Sequence, residues 1–173
     1  MSSFICRTVV LAAFTLMLGV PAVQAAQGSV NGFAAAPTIV KAFSPTSIAA
    51  GAQSTVTLTL TNTNLAAQTS ASFTDTLANM AISGAQASGG TCIGSGSNIF
   101  ANSATALAFS AITVPANSSC TVTFVVTSGT VGANPNSTSG VLTAQDGVAG
   151  PVSNVATLTV LPLPVTLQSF DVK

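Results

Sequence analysis

The chain contains no histidine, tryptophan, tyrosine or glutamate. Its carboxylates are Asp75, Asp146 and Asp171, and its cations are Arg7, Lys41 and Lys173. Each absence takes support from a class of function. Without histidine, no ordinary base stands ready at neutral pH to activate a hydroxyl or thiol, and no imidazole is available to a transition metal. Three aspartates scattered along the chain make poor material for a pair of acid and base carboxylates or for a calcium cage of about six to eight oxygens. Sugar recognition usually stacks the ring on tryptophan or tyrosine, and neither exists here. Charged residues make up 3% of the chain, against roughly 25% in ordinary soluble proteins. So few cations argue against nucleic acid, which is bound by displacing counterions from phosphates. So few charges also argue against disorder driven by self-repulsion. The expectation is a protein that is not an enzyme, holds no cofactor and no metal, and has a surface of Ser, Thr, Asn, Gln and Ala.

What is present begins with an export pattern. Arg7 precedes the apolar run Thr8 to Val20 (TVVLAAFTLMLGV), Pro21 breaks it, and Val23-Gln24-Ala25 forms a small-x-small cleavage site. A membrane anchor would need about 20 apolar residues, more than this run supplies. Residues 1–25 therefore read as a signal peptide cleaved between Ala25 and Ala26, leaving no membrane span and placing the mature chain in the periplasm, on the surface or outside the cell. Cys6 departs with the signal, and Cys92 and Cys120 remain. An even pair in an oxidising compartment predicts one disulfide, with two buried free thiols as the alternative.

The mature region is dominated by alternation with a period of two. Val56, Leu58 and Leu60 alternate with Thr55, Thr57, Thr59 and Thr61; Val122, Phe124 and Val126 alternate with Thr121, Thr123 and Thr127; Ala156, Leu158 and Val160 alternate with Thr157 and Thr159. One apolar and one threonine face is the mark of half-buried antiparallel strands. Further strands are expected at Pro37 to Phe43, Ala71 to Leu77, Met80 to Ala87, Ala104 to Ser110 and Ser139 to Ala144. Turn chemistry separates them, including Ser44-Pro45, Ser88-Gly89-Gly90, Asn134-Pro135-Asn136 and Asp146-Gly147. The pattern predicts an all-β chain, an immunoglobulin-like antiparallel β-sandwich of seven to eight strands over residues 37–160. Phe43, Phe73, Phe109 and Phe124 are expected to fill its core. A linker (residues 26–36) precedes it and an extended tail (residues 161–173) follows.

The ordered motifs within that span carry a resemblance. Pro37, Ile39, Lys41, Phe43, Ser44 and Pro45 form an opening element. Gly51, Ser54, Thr57, Thr59, Leu60, Thr61 and Asn62 form a second, and Phe73, Thr74, Asp75, Thr76 and Leu77 a third. Gly90-Thr91-Cys92, Pro115 to Thr123 and Ser153 to Val160 follow in order. The set resembles a bacterial conserved-repeat surface domain of unknown function. The resemblance implies an immunoglobulin-like sandwich, usually repeated in tandem in envelope or secreted proteins, with paired cysteines and with no enzymatic activity to carry over. This chain holds one copy, and Leu161 to Pro164 (LPLP) is not a sortase signal.

Four constellations invite sharper readings. Gly90-Thr91-Cys92-Ile93-Gly94 mimics a nucleophile elbow with cysteine for serine, but a disulfide to Cys120 suits a chain without a base better. Lys41, Asp75 and Asn154 match loosely, in type and order, the lysine, carboxylate and asparagine with which some surface adhesins form an intramolecular isopeptide bond. The plain alternative makes Lys41 a solvated strand residue and Asp75 a turn or surface group. Asp146-Gly147 reads as a turn rather than as part of a calcium site. Asn117-Ser118-Ser119 and Asn136-Ser137-Thr138 match the glycosylation triplet, as chance allows in a serine-rich chain. The expected function is a structural or interaction module that associates with other surface domains or with itself. The alternatives are an adhesin binding through the loop Ser88 to Asn102, and a fimbrial subunit that exchanges a strand donated by residues 26–36 or 161–173.

Overall fold

The computed structural model describes residues 34–164. The signal segment, the Ala25–Ala26 junction, residues 26–33 of the linker and residues 165–173 of the tail lie outside the described residues. Twelve strands follow one another: β1 (Thr38–Ser44), β2 (Ser47–Ala49), β3 (Gln53–Asn62), β4 (Gln68–Thr76), β5 (Ala81–Ile82), β6 (Gln86–Ala87), β7 (Gly89–Gly90), β8 (Ile99–Phe100), β9 (Ala106–Val114), β10 (Ser118–Thr127), β11 (Gly132–Asn136) and β12 (Ala156–Leu161). Seven of them run five residues or longer and make the body of an all-β sandwich. The helical content of the described residues is one 3-10 turn, Ser95–Ser97.

The first layer has the order β1-β3-β10-β5, with β7 also paired to β10, and every pairing in it is antiparallel. Its register explains the alternation in the sequence. Ile39, Leu60 and Cys120 form one row across β1, β3 and β10, Lys41, Leu58 and Val122 the next, and Phe43, Val56 and Phe124 the third. All nine side chains are buried, while Thr55, Thr57, Thr59 and Thr61 on the opposite face stay half-buried. Each Val, Leu or Phe taken fully from water contributes about 1.5–3 kcal/mol, so the rows hold the layer in one register; a slip by one residue would turn all of them to solvent.

The second layer contains the pair β4–β9 and the sheet β11-β12-β2. Thr138 and Leu142, just after β11, bridge β4 at Asp75 and Ser72 and so connect the two groups. β2 joins β12 in parallel, so the chain leaves β1 in one layer and enters the other within a few residues. The layers meet through aromatic rings. Phe73 of β4 stacks on Phe109 of β9 with centroids 4.6 Å apart, and Phe109 lies 5.6 Å from Phe124 of β10. Phe100 of β8 sets its edge against both Phe109 and Phe124. The four phenylalanines expected in the core are all buried, and Phe100 is a fifth.

Three segments depart from the expected pattern. The single strand expected over Met80 to Ala87 is broken into β5 and β6 around Gly84, whose φ of 74° no extended strand can include. Ser139 to Ala144 contributes bridges rather than a ladder. Asn134-Pro135-Asn136, expected as a turn, belongs to β11 and pairs with Ala156 to Leu158. β11 is the edge of its sheet, and an edge is where a strand tolerates a residue with no N–H.

Candidate functional site

The inward face of β1 carries an ionisable side chain at the centre of an apolar row. Lys41 sits between Ile39 and Phe43 and opposite Leu58, and its side chain is entirely buried. Its Nζ lies 5.7 Å from the centroid of the Phe43 ring and 6.0 Å from that of Phe124. Lysine usually keeps its ammonium in water by extending its stem. Here the stem points into the core, and Nζ donates to Asp75 Oδ2 and to Asn136 Oδ1. Asp75 comes from β4 and Asn136 from the end of β11, so one side chain of the first layer meets two of the second.

Each of the three groups is held from behind. Asn154 donates from Nδ2 to the Lys41 carbonyl (3.0 Å) and accepts the Lys41 N–H on Oδ1 (2.8 Å). Both backbone groups of Lys41 therefore point away from β3, and Asn154 pairs with them as a neighbouring strand would. Asn136 donates from Nδ2 to the Thr76 carbonyl at 2.7 Å, which fixes the plane of its amide. Asp75 is locked by the bridge between its backbone and Thr138. Its second oxygen, Oδ1, is buried with no hydrogen-bond partner.

Burial governs the protonation of the pair. Removal from water lowers the Lys41 pKa, against which the charge and hydrogen bond of Asp75 push upward. Burial likewise raises the Asp75 pKa, opposed by the charge and hydrogen bond of Lys41 and by the Asn136 amide. Both shifts favour a neutral amine beside a neutral carboxylic acid over a bare ion pair.

Against the sequence expectations, Lys41 is no solvated strand residue and Asp75 no surface group, because the odd positions of β1 and β4 near them face inward. Asn154, the expected partner of the lysine amine, binds its backbone instead. The amine meets Asn136, which the sequence places in an expected turn and a glycosylation triplet. Buried to 6% exposure, Asn136 is not placed to accept a sugar. The available signal was the alternation Asn134, Asn136, Thr138, which puts all three on one face; all three are buried.

The second constellation lies near the start of β10, where Cys120 stands one row from that of Lys41. Cys92 and Cys120 form a disulfide, with Cα atoms 4.8 Å apart. It belongs to a tightly tied corner. Gly89 and Gly90 pair with Thr123 and Val122, and Ile93 bridges Thr113 of β9. Gly90 has a φ of 116°, and a Cβ there would stand 2.2 Å from the Thr121 carbonyl oxygen, so only glycine fits. The nucleophile-elbow reading of Gly90 to Gly94 ends here, since the Cys92 sulfur is already bonded. Ile93 and Ile99 of the same corner stand exposed at 67% and 79%.

Asp146 is buried near a turn in which Gly147 has a φ of 64°. Its Oδ1 accepts the Thr143 N–H at 3.0 Å and its Oδ2 has no partner. Among the described residues no cluster of three metal-ligating side chains occurs. Lys41, Asp75 and Asp146 are the charged residues of the described region, and all three are buried.

Comparison with known proteins gives a family and little else. No curated protein matches the chain. Among solved structures, a Pseudomonas fluorescens alkylpurine DNA glycosylase, AlkC, bound to DNA containing an abasic site analog, aligns at 15% identity with a TM-score of 0.39. The alignment covers 73% of this chain and 30% of that one, so the chain spans under a third of that protein. A family model matches residues 37–160, from the strand that carries Lys41 to the strand that ends the second layer, and the chain belongs to that family, described as a domain of unknown function (DUF7933).

Proposed function

We propose that the protein is an exported, non-catalytic structural module of a bacterial surface or secreted protein, an immunoglobulin-like unit that spaces or presents its neighbours. The observation that carries this reading is the direction of its polar chemistry. The lysine, both aspartates and the cystine of the described region are turned inward, and the outward faces of the strands are mostly threonine, serine and alanine, with no charged side chain. A catalyst or a charged-ligand receptor keeps such groups at a cleft. The sequence supports export through residues 1–25, and a disulfide suits an oxidising compartment.

Expression of the full chain in a bacterium, followed by fractionation and intact mass with and without reductant, tests this reading. Recovery outside the cytoplasm, cleaved between Ala25 and Ala26 and heavier by two hydrogens on reduction, is the expected result. A full-length chain retained in the cytoplasm with free thiols overturns it. Exposed Ile93 and Ile99 favour a second reading, an adhesin that uses the corner within Ser88 to Asn102. In that case Ile93→Ser with Ile99→Ser abolishes attachment to host or matrix surfaces and leaves the melting temperature unchanged.

A further inference from the structure

We propose that Lys41 and Asn136 become joined by an intramolecular isopeptide bond, which the folded chain forms by itself with Asp75 as the proton-transfer group. The bond would link β1 of one layer to β11 of the other, across 95 residues of chain.

The first argument is the cost of the arrangement without a bond. A lysine and an aspartate with no side-chain exposure forfeit their hydration, and the attraction between them in the interior at best offsets that loss. An apolar pair of similar volume would serve a merely structural core as well. Asp75 Oδ1, buried and unpartnered, adds to the cost. Groups kept in so unfavourable a state at one point are those expected where chemistry occurs.

The second argument is geometry. Nζ is in direct contact with the side-chain amide of Asn136 and the carboxyl of Asp75. The approach is preorganised on both sides, by Asn154 holding the lysine backbone and by Thr76 holding the amide. Such confinement replaces a slow encounter with a reaction inside one molecule. Burial also moves both groups toward the protonation that the reaction uses, lowering the Lys41 pKa toward an uncharged amine and raising that of Asp75 toward an acid able to donate.

The reaction balances without any co-reactant. The Nζ pair attacks Cγ of Asn136 while Asp75 donates its proton to Oδ1, where negative charge would otherwise collect. Asp75 recovers a proton from Nζ and delivers one to Nδ2; the Nζ–Cγ bond stays, the Cγ–Nδ2 bond breaks and ammonia leaves, and Oδ1 returns its proton to Asp75 as the carbonyl re-forms. A shallow depression lined by Thr76, Pro135, Asn136, Ser137 and Val155 opens beside the amide and offers it a way out. The products are a secondary amide and an Asp75 returned to its starting state. The inference stands apart from the proposed export, since it needs only the folded chain.

The test uses the full chain purified from bacteria, reduced, unfolded and digested with a protease that cuts before aspartate. Cleavage before Asp75 and Asp146 separates the fragment ending at Thr74, which holds Lys41, from the fragment Asp75 to Gln145, which holds Asn136 and both Cys92 and Cys120. The expected result is that the two remain joined after reduction, at the sum of their separate masses minus one ammonia, with the branch located at Lys41 and Asn136 by fragmentation. Two separate fragments at their sequence masses overturn the proposal, and this reading requires no variant to fold. Asp75→Asn, which keeps the shape of the side chain, is expected to give a folded protein at full intact mass with a free Lys41. A folded D75N that is as fully linked as the parent removes the role assigned to Asp75.

Discussion

The disulfide corner and the Lys41 centre perform one task with different chemistry. Both tie together segments far apart in sequence, 28 residues for the cystine and 95 for Lys41 and Asn136. The cystine joins β10 to a glycine-rich segment beside it, within a corner already paired by β7, whereas the lysine crosses from one layer to the other. A disulfide depends on the redox state around it. The lysine centre depends on exclusion of water, since burial is the largest cause of the shift in both of its titrating groups and outweighs their mutual attraction. One fastening answers to the compartment, the other to the fold.

The comparison can be broken at several points. Lys41→Ala should have the largest effect, since it strands Asp75 in the core; removal of one partner of a buried pair costs about 3–5 kcal/mol. Chemical denaturation should show the midpoint falling accordingly. Replacing Cys92 and Cys120 together by serine should cost about 3.6 kcal/mol, by the chain-entropy model for a loop of this size. Reductant should then have no further effect on the melting temperature. Gly90→Ala forces a Cβ against the Thr121 carbonyl and should cost about 2 kcal/mol from backbone strain, visible as a lowered melting temperature with the disulfide still formed. Asn154→Ala removes two hydrogen bonds at the edge of β1 and should cost about 1–2 kcal/mol, with faster amide exchange at Lys41.

The effect of pH on Asn136→Ala, which leaves Lys41 and Asp75 free to titrate, sharpens the contrast further. A raised Asp75 pKa means that its contribution is fully present below the ordinary value of 3.8 and is lost as pH rises through the folded value. A lowered Lys41 pKa means that its contribution is present above 10.5 and is lost as pH falls through the folded value. Urea midpoints should therefore pass through a minimum between those limits. In the parent chain, a lysine committed to an amide no longer titrates, and the recovery on the alkaline side should disappear.

How much of this was legible in the sequence depended on how crowded each residue type is. Alternating valine, leucine and threonine at Val56 to Thr61 and Thr121 to Thr127 identified β3 and β10, because one residue of slip would expose every apolar side chain. Two cysteines left after the signal allowed one intramolecular pairing. Lys41 and Asp75 could be singled out because charge is so scarce, but their burial could not, since period two gives the face of a residue and a lone lysine on an apolar face is usually the exception that reaches water. The asparagine partner was hidden among many asparagines. Choosing Asn136 over Asn154 required knowing that β11 runs on past Pro135 to reach β4, a tertiary pairing between Asp75 and Thr138 that leaves no periodic trace. The splitting of Met80 to Ala87 at Gly84 rests on a left-handed backbone that a glycine permits but does not announce.

Every charged side chain of the described region is buried, so the outside of that body is electrically silent. Salt has little to screen on such a surface, and a change of pH finds no carboxylate or amine there to switch. Copies of it set side by side would neither repel nor attract one another through Coulomb forces. Crowding of such bodies would then be limited by shape and hydration, as closely in fresh water as in brine.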